Sequence, residues 1–243
     1  MGRSIGILVI TLTAVLHAWP VYASGHLLLV FTKTAGYRHE SIAVAVTAIR
    51  AIAARHDIGV ETSEDDAVFR PERLAAFKAV AFVNTTGNIL DAAQRRAFEA
   101  FIAAGGGYLG VHSAADTAYD WPWYGRLLGA WFKSHPPGLQ TGTVRFARPP
   151  GAGLPVAWRV TDEFYNFRSR PAAGATVVAA LDESTYAGGE MGGDHPLAWC
   201  RKIDGGRSWY TGLGHTPELF DDPVFLAHLT NGVLYAMARS EAC

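Results

Sequence analysis

The stretch Gly105-Gly106-Gly107-Tyr108-Leu109-Gly110-Val111-His112-Ser113 constrains the fold of this chain more than any other. Three glycines follow a segment with helical apolar spacing, and glycine ends helices because it takes positive φ without steric cost. Tyr108 to Val111 form a short apolar run, as expected of a strand buried in a parallel sheet. His112 and Ser113 leave that strand at its carboxyl end, the edge where open α/β sheets bind ligands.

The segments before it alternate in the same way. His26 to Thr32 is a continuous apolar run, suited to a central strand. Ser41 stands where it can cap a helix with Ile42, Ala45, Val46, Ile49, Ile52 and Ala53 at helical spacing. Ile58 to Thr62 reads as a second strand, Pro71 as the first turn of a helix through Phe77, and Ala79 to Val83 as a third strand. Asp91 with Gln94 forms a capping box ahead of a helix that buries Ala97, Phe98, Phe101 and Ile102. This βαβαβαβ order predicts a three-layer α/β/α sandwich with a mainly parallel, flavodoxin-like sheet. In the second half, Thr141 to Phe146, Ala175 to Leu181, Pro196 to Ile203 and Arg207 to Leu213 read as strands, with Gly205-Gly206 as a hairpin turn. Asp222-Pro223 opens a closing helix through Ala238. These late strands are expected as antiparallel additions to the sheet.

A chain of 243 residues, 49% hydrophobic, is large enough for one such domain, here expected over residues 24–243. A formal charge of −1 excludes the basic excess of nucleic-acid binders, and no acidic run suggests disorder. The first 23 residues read as a signal peptide. Arg3 supplies the positive start, Ile5 to Val15 the apolar run and Val21-Tyr22-Ala23 the cleavage pattern. Cleavage after Ala23 would leave a periplasmic or secreted protein with no membrane span. The apolar run falls short of the roughly 20 residues that a span needs, so an uncleaved anchor is the weaker reading. That compartment permits a disulfide between Cys200 and Cys243, although the terminal position of Cys243 leaves the pairing open.

The loop after the first strand holds Tyr37, Arg38, His39 and Glu40 directly before a helix, whose N-terminus favours oxyanions. The loop after the fourth strand holds His112, Ser113 and Asp116. Ser113 lacks the flanking glycines of a hydrolase elbow, and Asp116 can either orient His112 or cap the next turn. Trp121, Trp123 and His135 suit a sugar face or a core plug equally. Thr161-Asp162-Glu163-Phe164-Tyr165 sets acids among aromatics, where desolvation is expected to raise the Glu163 pKa toward that of a general acid or base. His195 opens the strand containing Trp199, and His215 closes the next strand between Gly214 and Thr216.

In their order and spacing these motifs resemble the ThuA-like, trehalose-utilisation family of the class I glutamine amidotransferase-like folds. The resemblance runs from about His26 to Ala238. It rests on Phe31-Thr32-Lys33-Thr34 with Tyr37-Arg38-His39, on Gly105 to Ser113, and on Trp123-Tyr124 with Leu128-Gly129. It continues through His135-Pro136, Asp162-Glu163-Phe164-Tyr165, His195-Pro196-Leu197-Ala198-Trp199, Gly206-Arg207 and Leu213-Gly214-His215. Glutamine amidotransferases carry a cysteine at the elbow. Here His112 takes that place, which excludes thiolate attack on glutamine at this site.

The resemblance implies breakdown of a 3-keto disaccharide or other 3-keto glycoside, formed by a partner dehydrogenase. A base removes the acidified C2 proton, the glycosidic oxygen leaves, and water adds. On this reading His112 or His39 is the base, Glu163 the acid, and His215 holds the enolate oxygen. Tyr37, Asp116, Trp123, His135, Tyr165, His195 and Trp199 would contact the sugar. The cofactor is unassigned. A divalent metal is compatible with His39, His112, His135 and His215, although their spacing matches no metal signature. The competing reading is a non-catalytic carbohydrate-binding or accessory module of an exported sugar pathway.

Overall fold

The computed structural model describes residues 26–147, 152–193 and 195–243. The signal-peptide reading and Asp194 therefore lie outside the described residues. Among those residues no helix is long and apolar enough to cross a membrane.

Four parallel strands come first: β1 (Leu27–Phe31), β2 (Gly59–Ser63), β3 (Phe77–Val83) and β4 (Gly107–Val111). Helices α1 (Ile42–Arg55), α2 (Pro71–Leu74) and α3 (Ala92–Ala103) connect them, and α4 (Pro122–Leu128) follows β4. A small pair, β5 (Phe132–Ser134) and β8 (Asn166–Phe167), stands apart from the main sheet. The main sheet continues with β6 (Gln140–Phe146), β7 (Ala157–Asp162), β9 (Thr176–Asp182), β10 (His195–Ile203) and β11 (Gly206–Thr211). Helix α5 (Pro223–Ala236) closes the chain. The nine strands lie in the order β2-β1-β3-β4-β11-β10-β9-β6-β7.

Alternation along the strands divides the core between the two faces of the sheet. Leu28 and Val30 point to one face, with Ile49 and Ile52 of α1 and Phe225, Leu229 and Val233 of α5. Leu29 and Phe31 point to the other, with Phe98 and Ile102 of α3 and Tyr124 of α4. The result is the expected three-layer sandwich.

The glycine run divides its work. Gly105 takes φ +94 and ends α3. Gly107 has no room for a side chain, because a Cβ there would meet the Ala236 carbonyl of α5. The capping box of Asp91 and Gln94 is formed in full. Other readings need correction. Helix α2 stops at Leu74 because Phe77 already belongs to β3. The hairpin turn is Asp204-Gly205, with φ +49 and +92, the positive pair a tight two-residue turn requires, and Gly206 opens β11. Strand β11 runs parallel to β4, so it extends the parallel half rather than adding to the antiparallel one. Ser41 precedes α1 but makes no side-chain cap; its hydroxyl donates instead to the Gly214 carbonyl at 2.9 Å. Cys200 and Cys243 are joined in a disulfide.

Candidate active site

Strands β1, β4 and β11 run in one direction, and their exits carry His39, His112 and His215. Three reversals of direction separate β10 from β7, so β7 also runs that way. Asp162 and Glu163 therefore leave β7 at the same edge as the three histidines.

His112 takes φ +48, an uncommon backbone state for a residue other than glycine, at the sharp exit from β4. Its peptide carbonyl accepts from Tyr210 Oη at 2.9 Å, and its ring stacks on Tyr165 with centroids 4.1 Å apart. Nδ1 donates to the Gly212 carbonyl at 2.8 Å, which fixes the tautomer and leaves a lone pair on Nε2. Nε2 lies 3.5 Å from Glu163 Oε2 and 3.3 Å from His215 Nδ1. His215 Nδ1 lies 3.2 Å from the same Oε2. His39 completes the group, with Nδ1 3.3 Å from Ser113 Oγ. One donor atom from each of His39, His112, Glu163 and His215 lies within 4.8 Å of the others.

Electrostatics set the charge states. Burial opposes ionisation of Glu163, but its interactions with the His112 and His215 imidazoles outweigh it and hold the carboxyl below its ordinary range. The expectation of a raised pKa is corrected: the desolvating aromatics are present, but so are two imidazoles. Burial, reinforced by His112 and His215, pulls His39 down to about 3, so it is neutral at working pH. The hydrogen bond with Glu163 raises His215.

These atoms fit a divalent cation. Ligand atoms about 2.1 Å from a tetrahedral centre stand about 3.4 Å apart, close to the 3.2, 3.3 and 3.5 Å separations of the His112, His215 and Glu163 atoms. The Gly212 carbonyl on the second ring nitrogen of His112 is the kind of outer partner that orients a metal-binding imidazole.

A cleft of about 370 Å³ opens over the cluster, lined in part by Tyr37, Asp116, Phe132, His135 and Tyr165. His135 Nδ1 lies 3.3 Å from Glu163 Oε1. Asp116 accepts from Tyr119 Oη at 2.6 Å and orients that phenol, not His112. Three expected sugar contacts lie elsewhere. Trp199 is buried, its indole donating to the Leu128 carbonyl at 2.7 Å. Trp123 stacks on Trp121 and donates to Asp204. His195 sits behind the cleft wall, its Nε2 donating to the Tyr165 carbonyl at 2.8 Å.

The sequence reading names Asp162 only as part of a motif, with no role of its own, and does not name Asn84. Asp162 is fully buried and accepts from the backbone N–H groups of Gly214, His215 and Thr216 at 2.8, 3.5 and 3.3 Å. Asn84, at φ +51, donates to Ser41 Oγ and to the Gly214 carbonyl. Together they fix the loop that aims His215. The available signal was the pair Asp162-Glu163 at the end of an alternating strand, where the two side chains must face opposite ways.

With this geometry in place, comparison with known families is decisive. The family ThuA, described as trehalose utilisation, matches residues 27–236. The chain belongs to the ThuA family. Among solved structures it is similar to a thua-like protein from Bacteroides uniformis, with 22% identity and TM-score 0.76 over 93% of this chain and 97% of that one. A thua-like protein from Parabacteroides merdae gives 16% identity and TM-score 0.66 over 89% and 92%. A beta-galactosidase from Bacillus circulans gives 17% identity and TM-score 0.52, over 87% of this chain but 31% of that one. At these identities the likeness shows the ThuA fold alone. Comparison with curated proteins gave no match.

Proposed function

We propose that the cluster holds one divalent transition metal and that the cleft above it cleaves 3-keto glycosides, disaccharides among them, by elimination and hydration. The observation that carries this reading is the convergence of three imidazoles and one carboxylate within 4.8 Å at the strand exits, in a family tied to sugar utilisation. Three nitrogens and one oxygen suit zinc and its first-row neighbours. A metal held there would supply Lewis acidity toward the keto and enolate oxygens.

The proton work falls to a residue beside the cluster. His135 Nδ1 donates to the Pro136 carbonyl at 2.8 Å, which leaves the lone pair on Nε2. In this reading Nε2 takes the C2 proton, acidified by the neighbouring ketone. The C1–O bond breaks as the C1–C2 double bond forms, and the proton passes to the departing oxygen. Water then adds across the double bond, hydroxyl to C1 and proton to C2. Tyr165 and Phe132 provide apolar walls for the ring, and Asp116 accepts from sugar hydroxyls. A dehydrogenase acting earlier supplies the ketone, and the N-terminal segment directs export.

The test is release of both sugars from a 3-keto disaccharide by metal-loaded protein, followed by chromatography. Binding of the sugar without turnover, by folded and metal-loaded protein, would make the chain a carbohydrate-binding module instead.

A further inference from the structure

One buried imidazole lies outside the cluster and the cleft. His228 stands on α5 in the core, its ring 4.8 Å from that of Trp209 and 5.5 Å from that of Phe146. Burial holds the ring neutral, with its pKa down to about 3. An imidazole in such apolar surroundings needs a polar partner, which an aliphatic side chain would not. The partner is Thr211, whose Oγ1 lies 3.1 Å from His228 Nε2.

Thr211 is buried at the end of β11 and pairs there with Val111, the residue that precedes His112 on β4. Its Oγ1 accepts from the backbone N–H of Leu213, two residues on, at 3.3 Å, a side-chain turn of the kind threonine favours. The hydroxyl proton then goes to His228 Nε2, the acceptor it has among the described residues, and the neutral ring supplies the lone pair. The Leu213 N–H belongs to the same planar peptide unit as the Gly212 carbonyl, and in a trans peptide the two point in opposite directions. Holding the N–H on Thr211 therefore aims the carbonyl. That carbonyl is the one that accepts from His112 Nδ1 at 2.8 Å. The Gly212 N–H is held separately, by the Leu197 carbonyl at 2.8 Å. His228, Thr211, the Gly212–Leu213 peptide and His112 thus form one line of hydrogen bonds from α5 through β11 to β4.

We propose that His228 is a positioning residue for the cluster: through Thr211 it holds the Gly212 carbonyl on His112 Nδ1 and so keeps His112 Nε2 turned toward a bound metal. The consequence for the metal rests on the metal-binding reading of the cluster. The hydrogen-bond relay itself does not, and it can be read in metal-free protein.

The experiment uses two pairs of variants of the full chain. Thr211→Val keeps the side-chain volume but removes the hydroxyl, and His228→Leu removes its acceptor. Thr211→Ser restores the hydroxyl, and His228→Gln restores an acceptor. Thermal melts confirm folding in all four. The first readout is the Nδ1–H resonance of His112 in metal-free protein carrying nitrogen-labelled histidine. It is expected to persist in the wild type, Thr211→Ser and His228→Gln, and to shift or be lost to exchange in Thr211→Val and His228→Leu. The second is zinc affinity by titration, expected to weaken about tenfold in the latter two variants and to return toward the wild-type value in the former two. A purely structural role would lower the melting temperature and move neither the resonance nor the affinity. That result in folded Thr211→Val would overturn the proposal, as would equal losses in Thr211→Val and Thr211→Ser. Failure of the wild type to bind zinc would remove the metal reading, while the resonance would still decide the relay.

Discussion

The parallel half of the sheet, β2-β1-β3-β4-β11, and the antiparallel half, β10-β9-β6-β7, meet the same edge with different groups. The parallel half contributes His39, His112 and His215, each on a short exit from a buried strand. The antiparallel half contributes Asp162 and Glu163, with Tyr165 just after them. Imidazoles alone would form a neutral pocket in which burial keeps His39 unprotonated. The carboxylates change that: Glu163 places a negative charge among the rings, and Asp162 ties the His215 loop across to β7. The parallel core thus fixes where the site is, and the antiparallel extension fixes what it can bind.

The largest effect should come from the parallel side. His112→Asn keeps a residue that tolerates positive φ but removes Nε2 from the cluster. Metal content should fall well below one ion per chain and turnover by about four orders of magnitude, with the melting curve little changed. Metal analysis and 3-keto disaccharide assay check both. His135→Gln sharpens the contrast between holding a metal and moving a proton. Metal content should be retained while kcat falls by about 10²–10³. A parallel loss of metal would place His135 among the ligands.

On the antiparallel side, Asp162→Asn replaces an acceptor of three amides with a group that presents an amide to them. Metal affinity should weaken by about 10–100-fold and stability by about 1–3 kcal/mol, read by metal titration and denaturant unfolding. Cys243→Ser acts on the antiparallel half at a distance from the site. It should cost about 2–4 kcal/mol of stability and leave turnover unchanged. The last effect is on pH dependence. Burial holds His228, like His39, down to about 3. As pH falls from 6.5 toward 3 the unfolded chain takes up protons that these folded imidazoles refuse, so stability falls in that window. His228→Gln should reduce that slope by about one proton, as seen in unfolding curves collected between pH 4 and pH 7.

Much of the parallel half was legible because its signals are local. Gly105 and the Asp91–Gln94 capping box mark the ends of α3 within a few residues of the strand they frame. His112 stood out for the same reason, as a polar residue at an apolar strand's end. The antiparallel half was harder to read because its meaning depends on distant partners. The charge state of Glu163 is set by His112 and His215, each about 50 residues away along the chain. Trp199 reads as a sugar platform by residue type, but its strand is buried on both faces and its indole is consumed by the Leu128 carbonyl. Ser41 reads as a helix cap from position alone, yet the more distant Gly214 carbonyl takes its hydroxyl.

The most direct test of the account is cleavage of a 3-keto disaccharide by the purified protein, before chelation, after chelation and after a divalent metal is restored. The account predicts release of both sugars, its loss with the chelator and its return with the metal. Undiminished turnover by folded protein shown to be free of metal would contradict the account at its centre.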